Sequence, residues 1–169
     1  MFHGTRREQD EIVRRVVAEF ADAARAPKVK DRRAEPVAGY RAVHVVASVL
    51  DVPVEIQVRT WHQDQWAQIV ERLGDVWGRG IRYGDAPPEP DRLVPGAKTR
   101  AAFWESVQTL ARLTASYEEL EVVLQEGMEA PWSGASDERT RSLEAASAAL
   151  DRGVAGLLRT FADIVEDLQ

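Results

Sequence analysis

The sequence of 169 residues predicts an α/β (α+β) domain followed by a C-terminal antiparallel helical hairpin. An amphipathic helical pattern opens the chain, and two runs rich in β-branched residues follow it. Two long apolar stripes at helical spacing occupy the second half. A proline-rich segment lies between the halves, so we predict a domain over residues 1–84, a linker over 85–98 and the hairpin over 99–169.

The first helix is predicted from about Arg6 to Ala24. Thr5 and Glu8 have the spacing of a capping box, in which each side chain binds a free backbone N–H of the other residue. Apolar residues then recur at helical spacing until Pro27, which ends the pattern. A short strand over Lys28 to Arg33 and a loop follow.

A β-hairpin is predicted next. The run "YRAVHVVASV" (40–49) is apolar on both faces, which favours a strand covered on both sides. The run "VPVEIQVRT" (52–60) follows after too few residues for a crossover, so the two strands should pair antiparallel. Its alternation places Val54, Ile56 and Val58 on one face and a polar row on the other, formed by Glu55, Gln57 and Arg59.

The remaining elements are helical. Residues 61–77 read as a helix, "GRGIRYG" as a loop, and the four prolines of "GDAPPEPDRLVPG" exclude regular structure. Two apolar seams over 103–124 and 143–168, joined by "GMEAPWSGAS", most simply pair antiparallel. They form either a structural hairpin or an oligomerisation arm, and Gly153 and Gly156 indicate close packing there.

Composition excludes several classes of function. A net charge of -6 argues against broad nucleic-acid binding, so no DNA partner is expected. The absence of cysteine excludes disulfides, thiolate catalysis and cysteine-based zinc sites. No apolar run reaches a membrane-spanning length and no signal peptide opens the sequence, so we expect a cytoplasmic protein without a membrane partner. His3, His44 and His62 lack metal-ligand spacing.

Residues with the chemistry of a nucleotide site concentrate around the hairpin. Tyr40 and His44 share one strand face, and "KVKDRR" supplies cations just upstream. An aromatic ring can stack a base, cations can hold phosphates, and Glu55 can bind magnesium or accept a proton. The alternative is structural: a solvated strand face, a half-buried aromatic residue, a hydrogen-bonded histidine and a basic edge that discourages strand aggregation.

The motifs "GYRAVH" (39–44), "VEIQVRT" (54–60) and "WA" (66–67) occur in that order, with "VKDRRAEP" before them and "GRGIRYG" after them. Together they resemble the synthetase domain of the RelA/SpoT family, over roughly residues 5 to 85. Those enzymes are GTP pyrophosphokinases that make the alarmones (p)ppGpp by transferring pyrophosphate from ATP to the 3′-hydroxyl of GDP or GTP. The resemblance implies a nucleotidyltransferase-like mixed sheet flanked by helices.

The resemblance also implies roles for individual residues. Tyr40 would stack on guanine, and Lys30 and His44 would contact the 5′-phosphates of the acceptor. Glu55 would bind Mg²⁺ and help to activate the 3′-hydroxyl. Gln57 and Arg59 would support the site from the same strand face as Glu55. The helix that carries Trp66 and Ala67 would close the guanine pocket.

Two departures from the family pattern qualify these roles. Pro36 and Ala38 stand where many members have lysine and asparagine, and Arg33 or Arg41 could replace that charge. The family's ATP-binding segment and its second magnesium-binding aspartate have no counterpart upstream of Thr5. We therefore expect a guanine-nucleotide partner, with ATP only if the missing segment is supplied. The chain is then an incomplete synthetase domain, or an inactive guanine-nucleotide-binding or regulatory module that assembles through its C-terminal helices.

Overall fold

The computed structural model describes residues 4–23, 25–94, 98–129 and 137–168. It is an α+β fold with four α-helices among those residues, as the sequence predicts. The elements in chain order are α1 (Arg6–Glu19), β1 (Lys28–Asp31), β2 (Val43–Val49), β3 (Val52–Val58), α2 (Trp61–Trp77), a 3₁₀ helix (Arg79–Tyr83), β4 (Leu93–Val94), β5 (Lys98–Thr99), α3 (Arg100–Glu129) and α4 (Asp137–Glu166).

Helix α1 begins where the sequence predicts and ends earlier. Thr5 and Glu8 form the capping box, with the backbone N–H of Thr5 donating to Glu8 Oε2 over 2.7 Å. The helix ends at Glu19, and residues 20–23 form turns and a bend. The expected extension of the helix to Ala24 is therefore too long by about one turn.

The main sheet is antiparallel, with strand order β1-β2-β3. The predicted hairpin of β2 and β3 is confirmed, and its two turn residues, Leu50 and Asp51, both have positive φ, as a tight type I′ turn requires. No parallel pair occurs among the described strands, so the mixed sheet expected from the resemblance is not observed there. The nucleotidyltransferase-like fold stays a prediction.

The two faces of the sheet differ in burial. Val43, Val45 and Ala47 of β2 are buried, whereas His44 and Val46 between them are partly exposed. The expectation that β2 is covered on both sides is therefore met on one face only. Strand β3 forms an edge of this sheet, and its apolar row is buried at Val58 but exposed at Val54 near the turn.

Helix α2 confirms the predicted range of 61–77, and the segments after it contain more structure than predicted. "GRGIRYG" contains the 3₁₀ helix, and the proline-rich segment includes β4, which pairs with β5. Pro87, Pro88 and Pro90 lie outside these strands, which is how the short ribbon and the prolines coexist.

The long helices pack antiparallel, as predicted. The rings of Phe103 and Phe161 lie 5.6 Å apart, and Tyr117 donates to Asp151 Oδ1 over 3.2 Å. The connecting segment "GMEAPWSGAS" begins within α3, and its residues 130–136 lie outside the described residues. No helix in the described part of the chain is both long enough and apolar enough to cross a membrane.

One apolar core joins the two predicted halves of the chain. It combines Trp66 and Leu73 of α2 and Ile81 of the 3₁₀ helix with Val107 of α3 and Leu158 of α4. The division into domains at 85–98 stays a prediction, but the helices on its two sides share buried side chains.

Candidate functional site

The polar row predicted on β3 lies on the partly exposed face of the sheet. Lys30 of β1 pairs with His44 of β2, and His44 pairs with Gln57 of β3. Glu55 lies two residues before Gln57 and therefore projects from the same face. The antiparallel register thus brings Lys30 and Gln57, which are 27 positions apart in the sequence, onto the same face of the sheet.

Hydrogen bonds connect these side chains into one group, which we call the open network. His44 Nε2 lies 3.0 Å from the Tyr40 hydroxyl, and His44 Nδ1 lies 3.0 Å from Glu55 Oε1. Gln57 Nε2 donates to Glu55 Oε2 over 3.2 Å, and Arg59 Nη2 donates to the Tyr40 hydroxyl over 2.9 Å. Its members are Tyr40, His44, Glu55, Gln57, Arg59 and Asp64.

One tautomer of His44 satisfies both of its contacts if the single hydroxyl proton of Tyr40 is donated to His44 and not to Gln57 Oε1, which lies 3.2 Å away. If Nδ1 carries the proton it donates to Glu55, and Nε2 then accepts from Tyr40. Every contact in the chain Tyr40–His44–Glu55 then has one donor and one acceptor. Such an arrangement can pass a proton from a hydroxyl group to a carboxylate along neighbouring side chains.

The carboxylate of Glu55 is held in its ionised form. Hydrogen bonds from Gln57 and His44 lower its pKa, and the positive charge of Lys30 acts in the same direction. The side chain remains 44% exposed. Each oxygen has two lone pairs, so Glu55 can still bind a hydrated cation while it keeps both internal hydrogen bonds.

The loop before β2 explains why glycine occupies position 39. Gly39 has φ +85°, and a Cβ there would lie 2.7 Å from Ala111 Cβ and 2.8 Å from the ring of Trp66. The backbone therefore passes against α2 and α3 and delivers the next residue, Tyr40, to the sheet face. The positive φ and the two close contacts together require glycine at this position.

Tyr40 does not present a free ring face on the side of β3. The guanidinium carbon of Arg59 lies 5.1 Å from the centre of the ring, and Asp64 Oδ1 accepts from Arg59 Nη1 over 3.2 Å. A purine that stacked on this face would have to displace Arg59. Asp64 thus holds Arg59 over the ring.

Trp66 and Ala67 lie inside the protein. Trp66 belongs to the apolar core, and Ala67 is only 4% exposed. The cavity that Trp66 lines together with Gly39 has a volume of about 10 Å³, room for one water molecule at most. The guanine-closing role that the resemblance implies for Ala67 therefore stays a prediction.

Two predicted substitutes for the missing loop lysine have other partners. Arg33 binds Asp31 and Asp10 and its side chain is only 9% exposed. Arg41 is buried and pairs with Glu118 of α3, with Arg41 Nη2 3.3 Å from Glu118 Oε2. Both guanidinium groups are bound to carboxylates in this conformation, so the suggestion that they replace the loop lysine is not supported. Lys30 remains an exposed cation beside the open network.

A second set of polar side chains lies beneath the first and was not predicted from the sequence. Glu118 accepts from the Thr60 hydroxyl over 2.6 Å and from Gln63 Nε2 over 3.0 Å. Gln9 Nε2 donates to Gln63 Oε1 and to the carbonyl of Val58. This buried network ties α1, the sheet, α2 and α3 together, and its members are Gln9, Arg41, Thr60, Gln63 and Glu118.

A groove lies beside the free edge of β3. It has a volume of about 640 Å³ and is lined by Ile12 and Val16 of α1, Ile56 and Val58 of β3, and the polar residues Gln57, Arg59 and Asp64. The volume is within the usual range of small-molecule sites. Three side chains of the open network therefore face a cavity that is also partly apolar.

Comparisons with known proteins identify relatives without assigning a family. The chain is 44% identical over 82 residues to uncharacterised proteins of Mycobacterium tuberculosis and Mycobacterium bovis. The match covers 48% of this chain and 29% of each relative, so the chain spans less than a third of their length. No family model and no solved structure matches the chain.

Proposed function

We propose that this chain forms the guanine-nucleotide-binding part of a RelA/SpoT-type (p)ppGpp synthetase domain. The observation that supports this most is the convergence of Lys30, Tyr40, His44 and Glu55 on one sheet face, since the resemblance assigns a role in the same site to each of them. A structural explanation does not require that a cation, an aromatic ring, an imidazole and a carboxylate converge on one partly exposed face.

The acceptor nucleotide would bind across the open network. Lys30 lies in register with His44 on the neighbouring strand and provides a donor for the 5′-phosphates of GDP or GTP, whereas His44 would donate to a phosphate only after it releases Glu55. The guanine would take the place of Arg59 on the ring of Tyr40. Arg59, once displaced, would be free to contact a phosphate, so nucleotide binding and the rearrangement of Arg59 are coupled.

The proposed reaction forms a bond between the acceptor 3′-oxygen and the β-phosphorus of ATP. The bond from that phosphorus to the oxygen bridging the α- and β-phosphates breaks, and AMP leaves. Glu55, which is ionised, accepts the hydroxyl proton directly or through water. A magnesium ion, held by Glu55 and substrate phosphates, would supply charge neutralisation, and a carboxylate with free lone pairs fits that ion.

A second candidate is a guanine-nucleotide-binding module without catalysis. Among the described residues, Glu55 is the one carboxylate of the open network that is not bound to arginine, and no group of three metal-ligating side chains occurs there. The RelA/SpoT resemblance implies a second magnesium-binding aspartate, so a site that has Glu55 alone is closer to binding than to efficient transfer.

Calorimetric titration with GDP and GTP tests the binding step common to both candidates. We expect binding, and Tyr40→Ala should weaken it about tenfold or more because it removes the stacking surface. Tyr83→Ala is the matched control, since Tyr83 is 75% exposed and takes no part in the open network. No heat with millimolar nucleotide, or equal losses in the two variants, would contradict the proposal.

Product formation separates the two candidates. The chain should be extended at its N-terminus with the ATP-binding segment of a RelA/SpoT-type synthetase, and this longer protein incubated with labelled ATP, Mg²⁺ and GDP or GTP. The synthetase proposal requires a labelled alarmone, whose formation Glu55→Gln lowers at least 100-fold while nucleotide binding is retained. Binding without product in the longer protein supports the non-catalytic module.

A further inference from the structure

A second cavity, of about 550 Å³, is bounded by the N-terminal ends of α1 and α2 and by one side each of α3 and α4. Its volume is within the usual range of small-molecule sites. The described residues that line it are all outside the open network, so it is a separate candidate site. Its walls combine aromatic and charged side chains, among them Trp61, His62, Tyr117, Glu121, Asp151 and Arg159.

Two carboxylates in this cavity share one proton donor. The Tyr117 hydroxyl lies 3.2 Å from Asp151 Oδ1 and 3.4 Å from Glu121 Oε1, and its single proton can be donated to only one of them at a time. Among the described residues, no lysine or arginine side chain forms an ion pair with either carboxylate. Two acidic groups therefore lie close together without a cation between them.

The ionisation of Glu121 reflects the same lack of positive charge. Burial raises the pKa of Glu121, and the negative charges of Glu118 and Asp151 raise it further. Hydrogen bonds from the backbone of Arg6 and from Tyr117 offset this rise only in part. A cation bound in the cavity would stabilise the ionised form of Glu121, so the cavity and a cationic ligand are complementary in charge.

An unpaired nitrogen atom of His62 lies in the same wall. The His62 side chain is 10% exposed, and its Nε2 is buried and has no hydrogen-bond partner in the described part of the chain. Nε2 lies 3.3 Å from Asp151 Oδ1, but the two atoms are not aligned for a hydrogen bond. Burial lowers the pKa of His62, and Asp151 and Glu118 oppose this only in part, so the imidazole is neutral at about pH 7. With its proton on Nδ1, the ring leaves Nε2 as an acceptor.

The aromatic wall of the cavity already holds one cation. The guanidinium carbon of Arg159 lies 5.7 Å from the centre of the Trp61 ring. Trp61 makes a T-shaped contact with His62, and the ring of His62 lies 5.0 Å from that of Tyr117. Aromatic faces attract cations and also cover hydrocarbon chains. A ligand with both a positive charge and an apolar part therefore fits this wall.

The charged groups that line the cavity are mostly negative. Glu144 lies on the same side of α4 as Asp151, about two helical turns away. Together with Glu121, the described walls carry three carboxylates against the single guanidinium group of Arg159. This excess favours a cationic ligand. No group of three potential metal ligands occurs in the described parts of the chain, so an organic cation fits better than a metal ion.

We propose that this cavity binds a primary alkylammonium ion, whose NH₃⁺ group donates to Glu121, Asp151 and His62 Nε2. An NH₃⁺ group has three donors, one for each of these acceptors. The Asp151 side chain is 49% exposed and can turn towards the ligand, which gives the ammonium group access to Nε2. The alkyl chain would lie along the rings of Trp61 and Tyr117. The inference does not depend on the proposed function.

NMR titration of the ¹⁵N-labelled chain with n-butylamine, which is protonated at neutral pH, tests the proposal. We expect saturable shifts of the His62 imidazole nitrogens and a dissociation constant below about 10 mM. 1-Butanol has the same alkyl chain without the charge, and tetramethylammonium has the charge without N–H donors, so each should bind about tenfold more weakly or worse. No saturation by n-butylamine, or equal binding of either analogue, would overturn the inference.

Two matched pairs of variants test the location of the site. Glu121→Gln and Asp151→Asn should each raise the dissociation constant of n-butylamine about tenfold, because each removes a negative charge next to the ammonium group. Glu126→Gln on α3 and Asp163→Asn on α4 are the controls, since both residues are exposed outside the cavity, and each should change it less than about twofold. Circular dichroism checks that the variants are folded. Equal affinities for the four variants would overturn the inference.

Discussion

The open and the buried network use the same kinds of side chain in opposite surroundings. Both contain an arginine, a glutamate, a glutamine and a hydroxyl group, yet the side chain of Glu55 is 44% exposed and that of Glu118 is 1% exposed. At three places in the sequence, one of two adjacent residues belongs to the open network and the other to the buried network. The members of the open network are Tyr40, Arg59 and Asp64, and their neighbours in the buried network are Arg41, Thr60 and Gln63. Burial, and not residue type, therefore decides which network contributes to stability and which is available to a ligand.

Replacing the carboxylate in each network gives the largest contrast. Glu118→Gln leaves the Arg41 charge buried without a counter-ion and should lower the free energy of unfolding by about 3–5 kcal/mol. Glu55→Gln should change it by less than about 0.5 kcal/mol, because Glu55 is exposed to water. Urea denaturation of the two variants measures both values.

A double variant shows whether the unpaired charge is the cause. Arg41→Met combined with Glu118→Gln removes both charges and should regain more than half of the stability lost in Glu118→Gln alone. Equal destabilisation by the single and the double variant would instead mean that the hydrogen bonds of Glu118 to α2 account for the loss.

The loop that leads into both networks predicts a smaller effect. Gly39→Ala should destabilise the chain by about 2–3 kcal/mol, because it adds a clash with Ala111 and Trp66 to the strain of a positive φ. Gly84→Ala is the matched control: φ there is +94°, but the nearest atom to a Cβ is 3.4 Å away, so only the strain of about 1 kcal/mol applies. Thermal unfolding that ranked the two variants equally would argue against the close contact.

The smallest effect concerns pH and the histidine next to the buried network. Burial lowers the pKa of His62, and the attraction of Asp151 and Glu118 opposes this only in part. Below the unfolded pKa of about 6.5 the unfolded chain binds a proton that the folded chain does not, so stability falls as the pH decreases through that value. One proton contributes at most about 1.4 kcal/mol per pH unit.

The His62→Gln variant isolates that contribution. Its free energy of unfolding should vary less between about pH 7.5 and 5.5 than that of the unaltered chain. Denaturant unfolding at several pH values measures the difference, and His44→Gln serves as the comparison in the open network. A slope unaffected by His62→Gln would show that the histidine is not the group that titrates.

The sequence predicted the elements that depend on local patterns. The apolar stripe of α2 predicts a helix over residues 61–77 without reference to the rest of the fold, and the alternation in β3 identifies the polar row. The antiparallel pairing of α3 and α4 followed from their apolar seams and the short connection between them. These features are encoded within one or two neighbouring elements.

The contacts that were missed join residues far apart in sequence. Nothing near Glu118 indicates that it lies beneath the sheet, because its partners Arg41 and Thr60 precede it by 77 and 58 positions. The role of Asp64 likewise depends on where Arg59 is placed by the hairpin register. Leu150 and Leu157 fit a heptad equally well whether they face the core or the surface, and only their exposure in the structure shows that they lie at the surface.

The tight turn at Leu50 and Asp51 also determines which backbone groups of β3 remain unpaired. In a two-residue hairpin the bonded pairs alternate outward from the turn, so the amide and carbonyl groups of Glu55 and Gln57 point away from β2. Pro53, which shares this orientation, has no N–H to donate. An additional strand would therefore dock on the main chain of the two residues at the centre of the polar row, and its residues opposite them would project onto the same side of the sheet.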